Sequence, residues 1–536
     1  MGSSKPPVFL RESTGLVREI SALDAAAINW TGETLVLGLL TSFVYSFLFP
    51  GGDLVIGMII SVVCFIPLSL TYAMSIAAMP RSGGDYVFVS RALHPAIGLT
   101  LVLTLNVWFA FWSGAYGNWI FTLGLGPALS VVGNVINSPS VLALSTTVSS
   151  PLVATVGGAV AIIITALIAI VSTKITTRLI TLFVGIGFIS LAAICIIFLA
   201  NSNQQFQAAF NAYSSSFANS PNYYNTVLGN ASKAGFTQPG FSWSDTIALV
   251  PFEGSVFLYI SEMQAVGGEM KRATKSAYSA CVLTIVVGGL LAVLICAAFQ
   301  NTVTLAFSHA LGFIYANGAG YSLPVTPTYN YLASMLTNNV FVVWLLNIGF
   351  MTTNIALMLM YYVFTPRYFL ATAFDRVMPE KLASVSEKYH SPHVAIIFAM
   401  VLALITLPIY SYFATMLATL SVIFSQIVFG YLIFGIASVV FPFRKNTKPI
   451  YDASPIKKSI LGIPVMSILG VLNCAVLAYL GYMMLINSAY GANNATSLTA
   501  AIAIAVAGPI WYYARKAYLN RKGIDLGIVF GVIPPE

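Results

Sequence analysis

The run LVATVGGAVAIIITALIAIV (152–171) contains no charged residue. As a helix rising about 1.5 Å per residue it is about 30 Å long, the thickness of a bilayer's hydrocarbon core. Backbone amides in lipid are satisfied only within a helix or a closed barrel. Barrel strands alternate apolar and polar residues, and this run does not. The whole chain is of the same material: 58% of its residues are hydrophobic and 7% charged. Soluble domains carry about 25% charged residues, which they need to cover their surface. The composition predicts an all-α polytopic membrane protein.

Apolar windows predict twelve spans, at about 22–49, 54–78, 97–125, 152–172, 179–200, 243–266, 278–300, 338–364, 393–409, 411–440, 460–486 and 497–515. If the N-terminus is cytoplasmic, every Lys and Arg except Lys233 falls in an inner segment, out of 24 in the chain. One missed span would destroy this segregation downstream, so both termini are expected in the cytoplasm. The net charge of +8 follows from the same bias and is not a nucleic-acid footprint. No cleavable signal peptide is expected, because the first twenty residues are polar and basic. The expected outer loops are rich in Asn, Ser, Gln and Tyr, and they hold the sequons at Asn230 and Asn494.

The five cysteines (Cys64, Cys195, Cys281, Cys296, Cys474) lie in apolar segments without metal-type spacing. The four histidines show no ligand spacing, and there is no phosphate-binding loop or nucleotide domain. An enzyme, a nucleotide partner and a protein-bound metal are therefore not expected.

Within INWTGETLVLG (28–38), Glu33 interrupts the first span. A helix beginning at Thr34 and ending at Phe49 covers about 24 Å, short of a core of about 30 Å. Starting near Ala25 restores the length and puts Glu33 about 12 Å inside. Snorkelling at the membrane edge is the competing reading. A second stretch bears on it: SALDAAAINWTGETLVLG (21–38) and SWSDTIALVPFEGSVFLY (242–259) both run from Ser to Asp three residues later, then to a Glu beside a Gly. The sixth span runs opposite to the first, so this repeat is inverted in the membrane. Transporters with inverted repeats break two such helices at the midplane to hold substrate and ion. Gly32 and the run Pro251-Phe252-Glu253-Gly254-Ser255 are the expected breakers; the alternative is that Pro251 only kinks a packed helix.

In NVWFAFWSGAYGNWIF (106–121), Trp108, Trp112, Tyr116 and Trp119 share one helix face, either a packing surface or a cavity wall with an ammonium-facing aromatic. In MTTNIAL (351–357), Thr352, Thr353 and Asn354 offer oxygens to a sodium ion, or bond their own backbone. Ser425 and Gln426 are polar positions in the tenth span.

Three loops carry a family resemblance. AAMPRSGGDYVFVSRALHPAIG (77–98) resembles the P-x-S-G-G-x-Y-x-[YF]-V-S-R loop of amino acid–polyamine–organocation (APC) permeases. GGEMKRATKSAY (267–278) resembles their E-x-K-N-P-x-R segment, with Ala273 in place of Pro. PRYFLATAFDRVMPEKLASVSEKYHSPHVAI (366–396) resembles their R-x-x-x-x-x-A-x-D-x-x-x-P stretch. With LVREISALDAAA (16–27), the resemblance covers nearly the whole chain.

It implies a LeuT-type architecture, with two inverted five-helix repeats and two peripheral helices. The corresponding parts are a cytoplasmic segment 1–20, a first repeat 21–200, an outer loop 201–242, a second repeat 243–440, peripheral helices 441–515 and a cytoplasmic tail 516–536. It also implies uptake of amino acids across the cell membrane by alternating access, driven by a proton or sodium gradient. A polyamine or cationic-amine transporter or exchanger is the alternative, and a non-transporting nutrient sensor a more distant one. Substrate contacts are expected from Asn29, Thr31, Gly32, Glu33, Thr34, Trp112, Tyr116, Phe252, Glu253, Gly254 and Ser255. Glu33, Glu253, Thr352 and Thr353 are the ion-coupling candidates, and Pro80, Gly83, Gly84 and Tyr86 form a gating loop. No cofactor is expected beyond a bound sodium ion. Two departures stand out: the family's G-[ST]-G break is replaced by TGET (31–34), and the fifth span lacks the lysine that some proton-coupled members place there.

Overall fold

The structure, a computed structural model, describes residues 18–530 except 219 and 415–417. Among these, twelve helical segments are long and apolar enough to cross a membrane. Spans 1 to 6 are Ala22–Leu48, Leu54–Ala78, Pro95–Val135, Pro151–Val171, Thr173–Leu199 and Trp243–Ala265. Spans 7 to 12 are Ala273–Thr302, Val340–Phe374, His393–Phe413, Thr419–Val440, Val465–Ile486 and Ala495–Asn520. The only sheet among the described residues is a two-residue pair, Ser459–Ile460 with Ile463–Pro464. The protein is an all-α polytopic membrane protein.

The expected boundaries shift at several ends: span 5 begins at Thr173, so Lys174 and Arg178 lie in its first turns, span 7 begins at Ala273 and span 12 runs on to Asn520. Span 3 continues past 125 to Val135, through a widened turn at Ile120–Leu125. Span 8 extends past 364 to Phe374, because the resembling PRYFLATAF stretch is itself helical despite Pro366. Residues 411–413 complete span 9, and span 10 begins at Thr419. Most of the segment 1–20 lies outside the described residues.

The Ser-to-Asp match between spans 1 and 6 proves to be helix capping. Ser21 Oγ accepts the Asp24 N–H at 3.2 Å while Asp24 Oδ2 accepts the Ser21 N–H at 3.0 Å. Ser242 caps span 6 in the same way, accepting the Asp245 N–H at 3.3 Å. There the Asp245 carboxylate turns instead to the Gly51 N–H at 2.8 Å, tying span 6 to the turn after span 1.

Packing reveals the repeat independently. Span 1 packs on span 7 as span 6 packs on span 2; span 8 packs on spans 5 and 4 as span 3 packs on spans 10 and 9. Adding five to each span number interchanges these pairs. Spans five apart cross in opposite directions, so the two units are inverted relative to each other.

Candidate functional site

Span 1 is broken at Thr34, which holds the left-handed conformation (φ 50°, ψ 35°) between the helices Ala22–Glu33 and Leu35–Tyr45. A β-branched residue rarely adopts that geometry, so the surrounding structure must hold it. TGET is therefore the site of the break. Span 6 breaks elsewhere than expected. Pro251 to Ser255 lie inside the unbroken helix Trp243–Leu258, and the chain unwinds only at 259–261 before a tight turn at Glu262–Ala265. Pro251 removes one backbone donor but the helix passes through it.

The two breaks meet. A Cβ on Gly32 would overlap the Tyr259 carbonyl oxygen and come within 3.0 Å of Glu262 Cγ. Asn29 Oδ1 accepts the Met263 N–H at 3.2 Å, so span 1 holds the start of span 6's second half. Thr31 instead returns its hydroxyl to the Ala27 carbonyl at 2.7 Å.

Beside the crossing lies a narrow cavity of about 30 Å³, room for a water or two in this closed arrangement. Thr34, Gly38, Trp112, Tyr116, Ser255 and Tyr259 line it. A smaller continuation reaches Gly32, Phe109, Leu357, Tyr361 and Phe364 on spans 1, 3 and 8. The aromatic face of span 3 forms its wall and is fixed by bonding. Trp112 Nε1 donates to the Tyr259 hydroxyl at 3.1 Å and to Gln426 at 3.3 Å, and Tyr259 also donates to Gln426. Trp108 Nε1 donates to Ser425 at 2.8 Å. Trp112 and Tyr116 stack with ring centres 5.9 Å apart.

The expected acids do not line this cavity. Glu33 and Glu253 are both fully buried (0%), and neither carboxyl has a hydrogen-bond partner. Glu33 lies against Gly288 of span 7 and Glu253 against Gly57 of span 2. Phe252 packs on Phe49 and Tyr490, and Gly254 meets the ring of Phe65. Thr352 donates to carbonyls of Ile348 at 3.0 Å and Phe183 at 3.4 Å, while Thr353 faces Gly187 of span 5. Tyr259 and Glu262 were missed, although a carboxylate inside the window 243–266 was a legible signal. Glu262 sits below the break, accepting from the Tyr431 hydroxyl at 3.0 Å. Among the described residues, no group of three or more His, Cys, Asp or Glu could hold a metal ion.

The cavity is sealed thickly toward the Lys/Arg-rich face. Arg367 bonds Glu269 through two contacts of 2.9 Å, and Arg91 grips Asp375 at 2.6 and 2.9 Å; all four side chains are buried. Gly83 (φ 69°) donates its N–H to Ala265 at 2.7 Å, and a Cβ there would strike Ala371 and the Arg367 carbonyl. Gly84 lies against Gln264, Tyr86 is buried, and Pro80 leads into this loop. Toward the opposite face, Trp119 and its bond to Tyr410 (2.6 Å) stand between the cavity and a vestibule of about 540 Å³.

The profile of the amino acid permease family matches residues 23–507, encompassing all of this machinery. The chain belongs to the amino acid permease family of the APC superfamily. No curated protein matches it. Family membership and the twelve-span fold point to a membrane transporter for a small-molecule amino acid rather than an enzyme.

In the permease, Asp85 gives the seal toward the basic face a pH dependence. Burial pushes its carboxyl up to about 6 from an ordinary 3.8, although hydroxyls of Tyr368 and Tyr72 hold it down. A raised acid favours the closed arrangement when protonated. That contribution is complete below about pH 4, declines through about pH 6 and is then lost, a total of about 3 kcal/mol. Melting temperature should therefore fall between about pH 4 and about pH 7 more steeply in the wild type than in Asp85→Asn. Equal slopes would show that the Asp85 carboxyl is not raised in the folded permease.

Proposed function

We propose that the permease takes up an amino acid across the cell membrane by alternating access, with the Lys/Arg-rich face and both termini cytoplasmic. The observation that carries this reading is the meeting of two broken, repeat-related helices at one cavity (Thr34 and 259–261). Donors and acceptors freed at such breaks suit the charged ends of an amino acid. Asn29, Gly32, Thr34 and Ser255 are the proposed contacts on spans 1 and 6, with Trp112 and Tyr116 opposite them. Phe109, Trp112, Tyr116, Tyr259 and Phe364 suit an apolar or aromatic side chain, and the described lining holds no carboxylate for a second amine of a polyamine.

Proton coupling is favoured over sodium. The buried carboxyls of Glu33 and Glu253 are uncommitted and can carry a proton. Both remain outside the cavity, so their proposed role is ion coupling and not contact with the substrate amine. Pro80, Gly83, Gly84 and Tyr86 form the loop that releases the inner seal.

Proteoliposomes given each labelled amino acid in turn, and putrescine, on the outside test the reading under separate inward proton and sodium gradients. Accumulation of apolar or aromatic amino acids under the proton gradient is expected. Accumulation of putrescine alone, or of nothing, would sink it.

A further inference from the structure

Glu33 and Glu253 have unequal surroundings. Glu33 meets Gly288 at the widened turn Thr284–Gly288, and no charged group lies near enough to act on it. Glu253 meets Gly57, whose N–H bonds the Asp53 carbonyl at 3.0 Å one turn nearer the vestibule-side end of span 2. Asp53 is partly exposed. Its Oδ1 caps span 2 through the N–H groups of Val55 and Ile56, and its Oδ2 accepts from Gln300 Nε2 at 2.8 Å. The other amide atom, Gln300 Oε1, is buried and unpartnered. The titratable groups acting on Glu253 are Asp53 from span 2 and Cys296 from span 7, and neither is a cation. Asp53 thus stands partly exposed at the vestibule-side end of span 2, one turn from the glycine that Glu253 packs against, and the two carboxyls share no hydrogen bond.

Resting on the transport reading above, we propose that Glu253 is a proton-carrying site loaded from the vestibule side through Asp53, remote from the substrate. Water delivers a proton to the Asp53 carboxylate, which Gln300 holds in place. A bridging water carries it on to a Glu253 oxygen, since the two carboxyls share no direct hydrogen bond. Asp53 regains its charge, and no other reactant is needed. Burial disfavours an ionised carboxylate lacking donors and cations, so loading the proton changes how favourably spans 2 and 6 pack. Glu253 couples by biasing this packing and not by touching the amino acid.

The test uses the full chain in proteoliposomes containing a pH-sensitive dye, with an equimolar mixture of the twenty standard amino acids added outside. Exchange of the labelled mixture is measured in parallel. Glu253→Gln should reduce substrate-driven acidification about tenfold, within the usual range of coupling free energies, while exchange stays near wild type. Gln300→Leu, far from the cavity, should slow acidification with exchange intact. Acidification by Glu253→Gln at the wild-type rate would overturn the proposal. So would joint loss of exchange and acidification in a Glu253→Gln protein that melts normally. Absence of amino acid flux in the wild type would instead overturn the transport reading.

Discussion

Replacing Gly32 with Ala should abolish uptake while leaving the permease folded and inserted. The added Cβ would overlap the Tyr259 carbonyl oxygen, which belongs to the unwound segment of span 6. A flexible side chain could step aside; this carbonyl is fixed by the Tyr259 hydroxyl's bonding to Trp112 and by the Asn29 anchor on Met263. Overpacking of this kind costs about 1–3 kcal/mol where it can be absorbed at all. Here the strain falls on the crossing that shapes the cavity, so a fall in uptake of at least about tenfold is expected, with little change in melting temperature. Initial uptake per mole of reconstituted protein measures it. Wild-type uptake by Gly32→Ala would mean that the two breaks separate during transport and that their close contact is dispensable.

The second large effect concerns the seal. Arg367 is 1% exposed and bonds Glu269 through two nitrogens, with a third contact to Thr173 at 3.2 Å. The Glu269 carbonyl accepts the Ile20 N–H at 3.1 Å, and Lys271 N–H returns to the Ile20 carbonyl at 3.1 Å. One ion pair therefore ties together span 8, the loop after span 6 and the entry to span 1. Arg367→Gln leaves Glu269 buried and unpaired, a loss of about 3–5 kcal/mol. Melting temperature should drop by several degrees and uptake should collapse. The double variant Arg367→Met, Glu269→Met should recover much of the melting temperature, since removing both charges removes the uncompensated one. Uptake should stay low, because an apolar pair cannot separate into water at each cycle. Full recovery of uptake in the double variant would reduce the pair to a structural role.

Much of this was legible in the sequence because hydropathy is local. Twelve apolar runs, a one-sided Lys and Arg distribution and three loop motifs each depend on neighbouring residues only. The break at TGET was also legible, since a Gly-Glu-Thr cluster is poor material for a buried helix. The break at 259–261 was not: Tyr, Ile and Ser carry no breaker signature, and Pro251 drew attention eight residues too early. What unwinds span 6 is the crossing with Gly32 and the hold of Asn29, both contacts more than two hundred residues away in sequence.

The acids show the same limit from another side. The sequence placed Glu33 and Glu253 at membrane depth, and the structure agrees that both are buried. It could not say which way they point. Successive helical residues are rotated by about 100°, so Gly32 faces the crossing while Glu33 turns toward span 7. The shared Ser-to-Asp spacing read as a site motif was a pair of helix caps, although it did locate the two repeat-related helices correctly.

By itself, then, the sequence determined how many times this chain crosses the membrane and which loops resemble the permease family, because a bilayer imposes the same demand on every local window. Only the tertiary structure decided where span 6 breaks, which side chains line the cavity and which helix each buried carboxyl packs against. Those properties belong to contacts between helices, and a helix's own residues fix its periodicity but not its partner.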